Sequence, residues 1–169
     1  MTHPLVEQLR FTRSEWQRGL QAVTPDEAAR HFEPINSIGW IVGHLAWQEQ
    51  LYWLQHAQGI TLVPDVERCG SGQHASNPPV GAMWTAWGQI TAAADPYLDT
   101  LTSETLLTFQ VVDGKEVSES IGTRLHRMIY HYWYHLGEAQ AVRQLLGHSD
   151  LPGFVGRIGR EAPYRPDPG

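Results

Sequence analysis

One cysteine, one lysine and no long apolar run define what this chain of 169 residues does without. A lone Cys69 forms no internal disulfide and no CxxC metal or redox site, so any metal here must be held by histidine or carboxylate, and the composition fits a reducing compartment. No stretch approaches the ~18 apolar residues of a membrane span. The opening MTHPLVEQLR is charged and broken too early for a signal peptide, so the expected setting is cytoplasmic, away from membrane. Charged residues reach only 18% of the chain, below the roughly 25% of an average soluble domain. The net charge is −6, and Lys and Arg nowhere cluster along a helix, which removes the electrostatic footprint of a nucleic-acid binder. Of the basic residues only Lys115 is not arginine, a bias that fits GC-rich bacterial coding rather than function.

Aromatic residues are plentiful instead. Seven Trp and six Tyr offer large areas to bury, which excludes a disordered chain. The length suits one core, so residues 1–169 are read as one domain with an irregular tail from about Ser149, where Pro152, Pro163, Pro166 and Pro168 gather. Many aromatics and few charges leave more apolar surface than one small core covers, and a two-fold homodimer through helix faces is expected.

Leu5, Leu9, Trp16 and Leu20 recur at helical spacing and predict a first helix. Thr24, Pro25 and Glu27 give an N-cap, a first-turn proline and an N3 carboxylate, which start a short connector. Asn36 or Ser37 caps a second long helix from Ile38 to Gln58, ended by Gly59. Ile60 to Pro79 is dense in Gly, Ser, Asn and Pro and reads as loop. Val80 to about Leu101 predicts a third helix, kinked or interrupted by Pro96. Asp113-Gly114 between short β-rich runs signals a hairpin. Ser120 to Leu146 is the longest periodic segment, with Gly147 placed to end it. The expected fold is therefore all-α, a four-helix bundle with a small β-hairpin before the last helix, and such bundles build metal sites from side chains on facing helices.

His131 and His135 stand four apart and share one helix face, so they can grip one ion, and Glu138 falls on the same stripe. Met128, Val142, Leu145 and Leu146 border that stripe, which turns both imidazoles toward the interior. His44 is a third candidate, on a stripe with Trp40, Ile41, Trp47 and Leu51. The HxxxH spacing carries Tyr132 where a zinc protease has glutamate, which sets aside a metalloprotease. Other candidates read as structural or solvated: His126 on the opposite side of its helix; His3, His31, His56, His74 and His148 near helix ends or in loop; Trp40, Trp47, Trp84, Trp87 and Trp133 as core. Cys69 reads as incidental, although a thiol exposed in that loop could be oxidised. Glu138 could ligate, act as a base or orient an imidazole, and Arg157, Arg160 and Arg165 could fold over the site or remain in solvent.

Asn36 to Gln58, NSIGWIVGHLAWQEQLYWLQHAQ, with Tyr130 to Gly147, YHYWYHLGEAQAVRQLLG, resembles the DinB/YfiT-like superfamily, also called the DinB-like or domain-of-unknown-function 664 group. The resemblance implies a bundle of up-down-down-up order and a divalent metal held by three histidines, which map to His44, His131 and His135. Many relatives carry Arg-Gly-Gln after the last ligand, where this chain has Leu136, Gly137 and Glu138. It also implies chemistry of low-molecular-weight thiols, as in mycothiol-dependent isomerases and bacillithiol S-transferases. Such an ion, Zn²⁺ first with Ni²⁺, Fe²⁺ or Mn²⁺ also accepted by imidazole, suits a thiol cosubstrate attacking a small electrophile. Two other readings stay open: a metal-dependent hydrolase, and a non-enzymatic bundle for binding or stress response whose ion serves structure.

Overall fold

The computed structural model describes residues 2–74, 76–153 and 155–166, so Pro168 of the expected tail lies outside the described residues. Helix α1 (Pro4–Leu20) begins at His3, whose ring accepts the Leu5 N–H, and is followed by a short α2 (Pro25–Ala28). Thr24 and Glu27 close a full capping box there, as their spacing predicts. Ser37, not Asn36, caps α3 (Ile38–Glu49) by accepting the Trp40 N–H. The predicted single helix to Gln58 is interrupted: Gln50–Gln55 is π-helical before a last turn, α4 (His56–Gln58), which Gly59 ends at φ 71°. Buried Gln50 sits where the backbone widens, accepting the N–H groups of Leu62 and Val63 and donating to the Val63 carbonyl, which fastens the returning chain to the helix.

The expected loop after Gly59 contains a 3₁₀ helix, Pro64–Cys69. Its Val66 and Cys69 side chains are fully buried, so the exposed, oxidisable thiol considered at Cys69 is corrected. A Cβ placed on Gly43 would come within 2.6 Å of both Cys69 Sγ and Met83 Sδ, so the bare glycine is what lets α3 lie so close to its neighbours. Helix α5 (Val80–Leu98) ends three residues before the expected Leu101, with Pro96 inside its final turn. A short α6 (Ser103–Leu106) leads to strands β1 (Phe109–Val112) and β2 (Lys115–Ser120), paired antiparallel. Asp113 and Gly114 both take positive φ, at 51° and 74°, the geometry that a two-residue hairpin of matching twist requires. Helix α7 (Ile121–Leu145) closes on Gly147 at φ 92°, with the N–H groups of Gly147 and His148 bonded back to Gln144 and Arg143.

The chain is thus mainly helical with one small hairpin. Helix α3 packs on α5 and α7, and α1 packs on α7. One buried polar network ties these four helices together. Arg13 of α1 makes a two-pronged pair with Glu49 of α3 at 2.8 and 2.6 Å and reaches Asp95 of α5 at 2.8 Å. Tyr132 of α7 donates its hydroxyl to the same Glu49 and accepts from the Trp87 indole of α5. Two expectations fail near the C-terminal end. Leu145 is 57% exposed rather than part of the inward stripe, because Val142, Arg143 and Leu146 take the packed side of the same turn and Leu145 faces away from them. The tail is not wholly irregular: it forms α8 (Ile158–Glu161) and bonds to α1, with Gln8 Nε2 donating to the Ala162 carbonyl and Arg18 to that of Gly153. No helix among the described residues is long and apolar enough to cross a membrane.

Candidate metal centre

Three imidazoles meet between α3 and α7. His44 Nε2 lies 3.2 Å from His131 Nε2, and His135 Nε2 lies 2.8 Å from the same atom, with one nitrogen of each residue within 4.8 Å of the others. One turn of α7 separates His131 from His135, and His44 faces them across the helix contact. Trp40 and Trp47, four residues before and three after His44, stack on its ring at 4.6 and 5.4 Å and fix its plane.

The outer nitrogens show which atoms face inward. His44 Nδ1 is 2.7 Å from the Cys69 carbonyl, and His135 Nδ1 is 2.7 Å from Glu138 Oε2. A carbonyl and a carboxylate only accept, so both Nδ1 atoms carry the proton and both Nε2 atoms present a lone pair to the third imidazole. Burial is the main force pushing His44 down to about 4, opposed by the Cys69 carbonyl, and it pushes His131 down to about 3 with help from His135, His44 and Arg127. Burial would raise Glu138, but the bonds to His135 and Asn36 outweigh it and hold the carboxylate below its usual range.

This donor set fits a divalent cation. Converging lone pairs repel one another unless a proton or an ion stands between them. Nitrogens each 2.0–2.1 Å from one tetrahedral ion stand about 3.3 Å apart, close to the His44–His131 separation of 3.2 Å, while His131 and His135 at 2.8 Å would open slightly around an ion. Glu138 and the Cys69 carbonyl hold the outer nitrogens of His135 and His44, the kind of contact that orients an imidazole. His131 Nδ1 is buried with no such partner among the described residues.

Acid should destabilise the metal-free protein. An unfolded histidine takes its proton near 6.5, whereas folded His44 and His131 stay neutral to about 4 and about 3. Between those limits the unfolded chain binds more protons, so stability is complete above 6.5 and is lost as pH falls toward 4. Thermal melts of chelated protein should give a lower midpoint at about pH 5 than at about pH 7. Equal midpoints would contradict the burial of the two rings.

His131 also borders a cavity of about 600 Å³, with Gln48, Tyr52, Arg127, Tyr130 and Tyr134 among its walls. Arg127 is paired there with Glu119. None of these residues carries a motif; Gln48 on α3, Tyr52 in the π-helical turn and Arg127, Tyr130 and Tyr134 on α7 are marked only by their nearness to the histidines. His126 is exposed and stacked on Tyr130, as expected of its helix face. Arg157 and Arg160 are exposed, and Arg165 reaches Glu7 of α1 at 3.3 Å rather than the histidines.

A family model described as mycothiol-S-transferase matches residues 4–147. The chain belongs to the mycothiol S-transferase family. That family lies within the DinB/YfiT-like metalloenzyme superfamily, and it points to a thiol S-transferase of the DinB-like type. No curated protein matches the chain. All three histidines, Glu138 and the cavity residues of this mycothiol S-transferase family member fall inside the matched span, whereas α8 lies beyond it.

Proposed function

We propose that the protein transfers the sulfur of a low-molecular-weight thiol, mycothiol by its family, onto a small electrophile, using a divalent ion held by His44, His131 and His135. One observation carries this reading: Nε2 lone pairs fixed by Glu138 and the Cys69 carbonyl converge on His131 at the edge of an open cavity. A structural ion is enclosed by its ligands, whereas an ion bordering a cavity keeps a position for a substrate. Zinc is the first choice, and Ni²⁺, Fe²⁺ and Mn²⁺ suit the same imidazoles.

When bound, the ion supplies positive charge that favours a thiolate over a thiol at neutral pH. The protein's own residues do the rest. Glu138 and the Cys69 carbonyl keep His135 and His44 in the tautomer that presents Nε2. Trp40 and Trp47 prevent the His44 ring from turning. Arg127, neutralised by Glu119, and Gln48 give the cavity a polar wall that suits a hydroxyl- or amide-bearing thiol without demanding an anion. The thiolate sulfur forms a bond to the electrophilic carbon, the displaced bond's electron pair leaves with its group, and the thiol proton goes to solvent.

Elemental analysis of untagged protein, followed by a screen of mycothiol and simpler thiols against several electrophiles, tests the reading. One equivalent of divalent metal per chain and thiol-dependent loss of electrophile are expected. Metal-replete protein that consumes no electrophile faster with any thiol would defeat it.

The bundle order up-down-down-up belongs to this proposal. Its support is that Arg10 meets Asp95 and Asp99, whereas Trp16 meets Trp84 and Trp133 meets Phe11 while Gln140 meets Gly19. The homodimer is likewise proposed. Phe109 and Val111 are exposed at alternate positions along β1 with Gln110 buried between them, and Leu107 just before the strand is exposed too, an apolar patch turned outward. Light scattering at micromolar concentration should give twice the mass of one chain, and a monomer mass would refute the dimer.

A further inference from the structure

A second cavity, of about 720 Å³, opens beside the one that holds His131. It lies between the first turns of α1 and the C-terminal segment, with Leu5, Ile158, Ala162, Pro163 and Tyr164 in its walls. His126 lines both cavities, so the two spaces meet at one imidazole. That residue stands five positions before His131, about 7.5 Å along the axis of α7 and about 140° around it. A molecule that occupies both must pass over the exposed His126 ring and round the surface of α7.

The two chambers differ in chemistry. Around His131 the walls carry Gln48, Ser71, Glu119 and Arg127, whereas the second chamber is faced mainly by aliphatic and proline carbon. Arg165 at its edge is already paired with Glu7, so its charge does not call for an anion. The volume falls within the ~300–1,000 Å³ of small-molecule sites. Its outer wall is built rather than loose: Ala162 is buried, and its carbonyl accepts from Gln8 at 2.8 Å. Ile158 to Arg165 lie beyond the end of the family match at residue 147.

We propose that the second chamber binds the apolar body of the electrophile, a neutral aromatic or alkyl group, with its reactive carbon directed past His126 toward His131. The reaction part of this assignment rests on the thiol-transfer reading; the binding part does not. Apolar burial then sets substrate choice. For a homologous series of n-alkyl bromides, kcat/KM should rise roughly fourfold per added methylene until the chamber is filled. Ile158→Glu should flatten that rise, and a series already flat in the wild type would overturn the assignment.

Binding is tested without any reaction. The full chain, carrying ¹³C-labelled isoleucine methyl groups, is titrated with 2-naphthalenemethanol, which is apolar and not electrophilic. The Ile158 methyl, identified through Ile158→Val, should shift saturably, while those of buried Ile41 and Ile90 stay in place. Tyr164→Ala, at a 91% exposed position where folding is not at stake, should weaken the titration about tenfold. An unmoved Ile158 methyl would overturn the proposal. Were Ile158 to shift in a protein that consumes no electrophile with any thiol, the chamber would stand and the transferase reading would fall.

Discussion

His135→Ala is expected to abolish metal-dependent thiol transfer while leaving the helices in place. The variant keeps His44 and His131, a two-nitrogen site without the ring that Glu138 orients. Loss of a supporting partner alone typically costs about 10–100-fold in metal affinity, so loss of the ligand should cost more than about 100-fold, and Glu138→Gln should fall within the lower range. The fold has other means of support, since Trp16, Trp53, Tyr132 and many aliphatic residues are buried in one apolar core. Circular dichroism should show near-native helicity in the variant and in chelated wild type. A structural ion would behave otherwise, because its binding free energy is then part of the folding free energy and rivals the ~5–15 kcal/mol stability of a whole domain. Unfolding at room temperature in both samples would favour the non-enzymatic bundle.

Much of this site was legible in the sequence because helices translate spacing into direction. The four-residue interval between His131 and His135 and the apolar stripe around His44 each put an imidazole on an inward face, and the three do meet. What spacing does not encode is what lies across the contact. The partner of His44 is the backbone carbonyl of Cys69, which any residue type could supply, and it stands in a segment read as plain loop. The π-helical turn at Gln50–Gln55 leaves the pattern of apolar residues unchanged and announces itself only through Gln50, a polar side chain buried to hold Leu62 and Val63. Leu145 misled because an apolar residue at the margin of a stripe can face either way, and here Val142 and Leu146 take the packed side while Leu145 is turned outward. Turns were legible for a different reason. At Thr24, Asp113 and Gly114 the residue type itself satisfies the backbone geometry, with no distant partner required.

The polar network at the helix junction escaped the sequence reading altogether, since Arg13, Glu49 and Tyr132 are scattered along three helices, and it carries the largest expected effect on stability. Glu49 is fully buried and accepts from Arg13 twice and from Tyr132 once. Burial disfavours charge on Arg13, but the Glu49 carboxylate more than compensates and raises the guanidinium above its ordinary range. Tyr132 is held well above its ordinary value, first by burial and then by the neighbouring negative charge, so it stays a neutral donor. Glu49→Ala would leave a buried guanidinium with only half-exposed Asp95 and would strip Tyr132 of its acceptor. Breaking a buried pair from one side typically costs about 3–5 kcal/mol, far more than an exposed pair contributes. For a chain of this size each kcal/mol moves the melting midpoint by about 2–4 °C, so a drop on the order of 10 °C is expected by calorimetry. Replacing Arg13 and Glu49 together by Met and Leu separates the two components of that loss. If the damage comes from the stranded charge, the double variant should recover most of the stability lost by Glu49→Ala, because carbon of similar volume needs no partner. If it instead stays as destabilised as Glu49→Ala, the pair itself is a net source of stability, holding α1 and α3 in the register that brings His44 to His131.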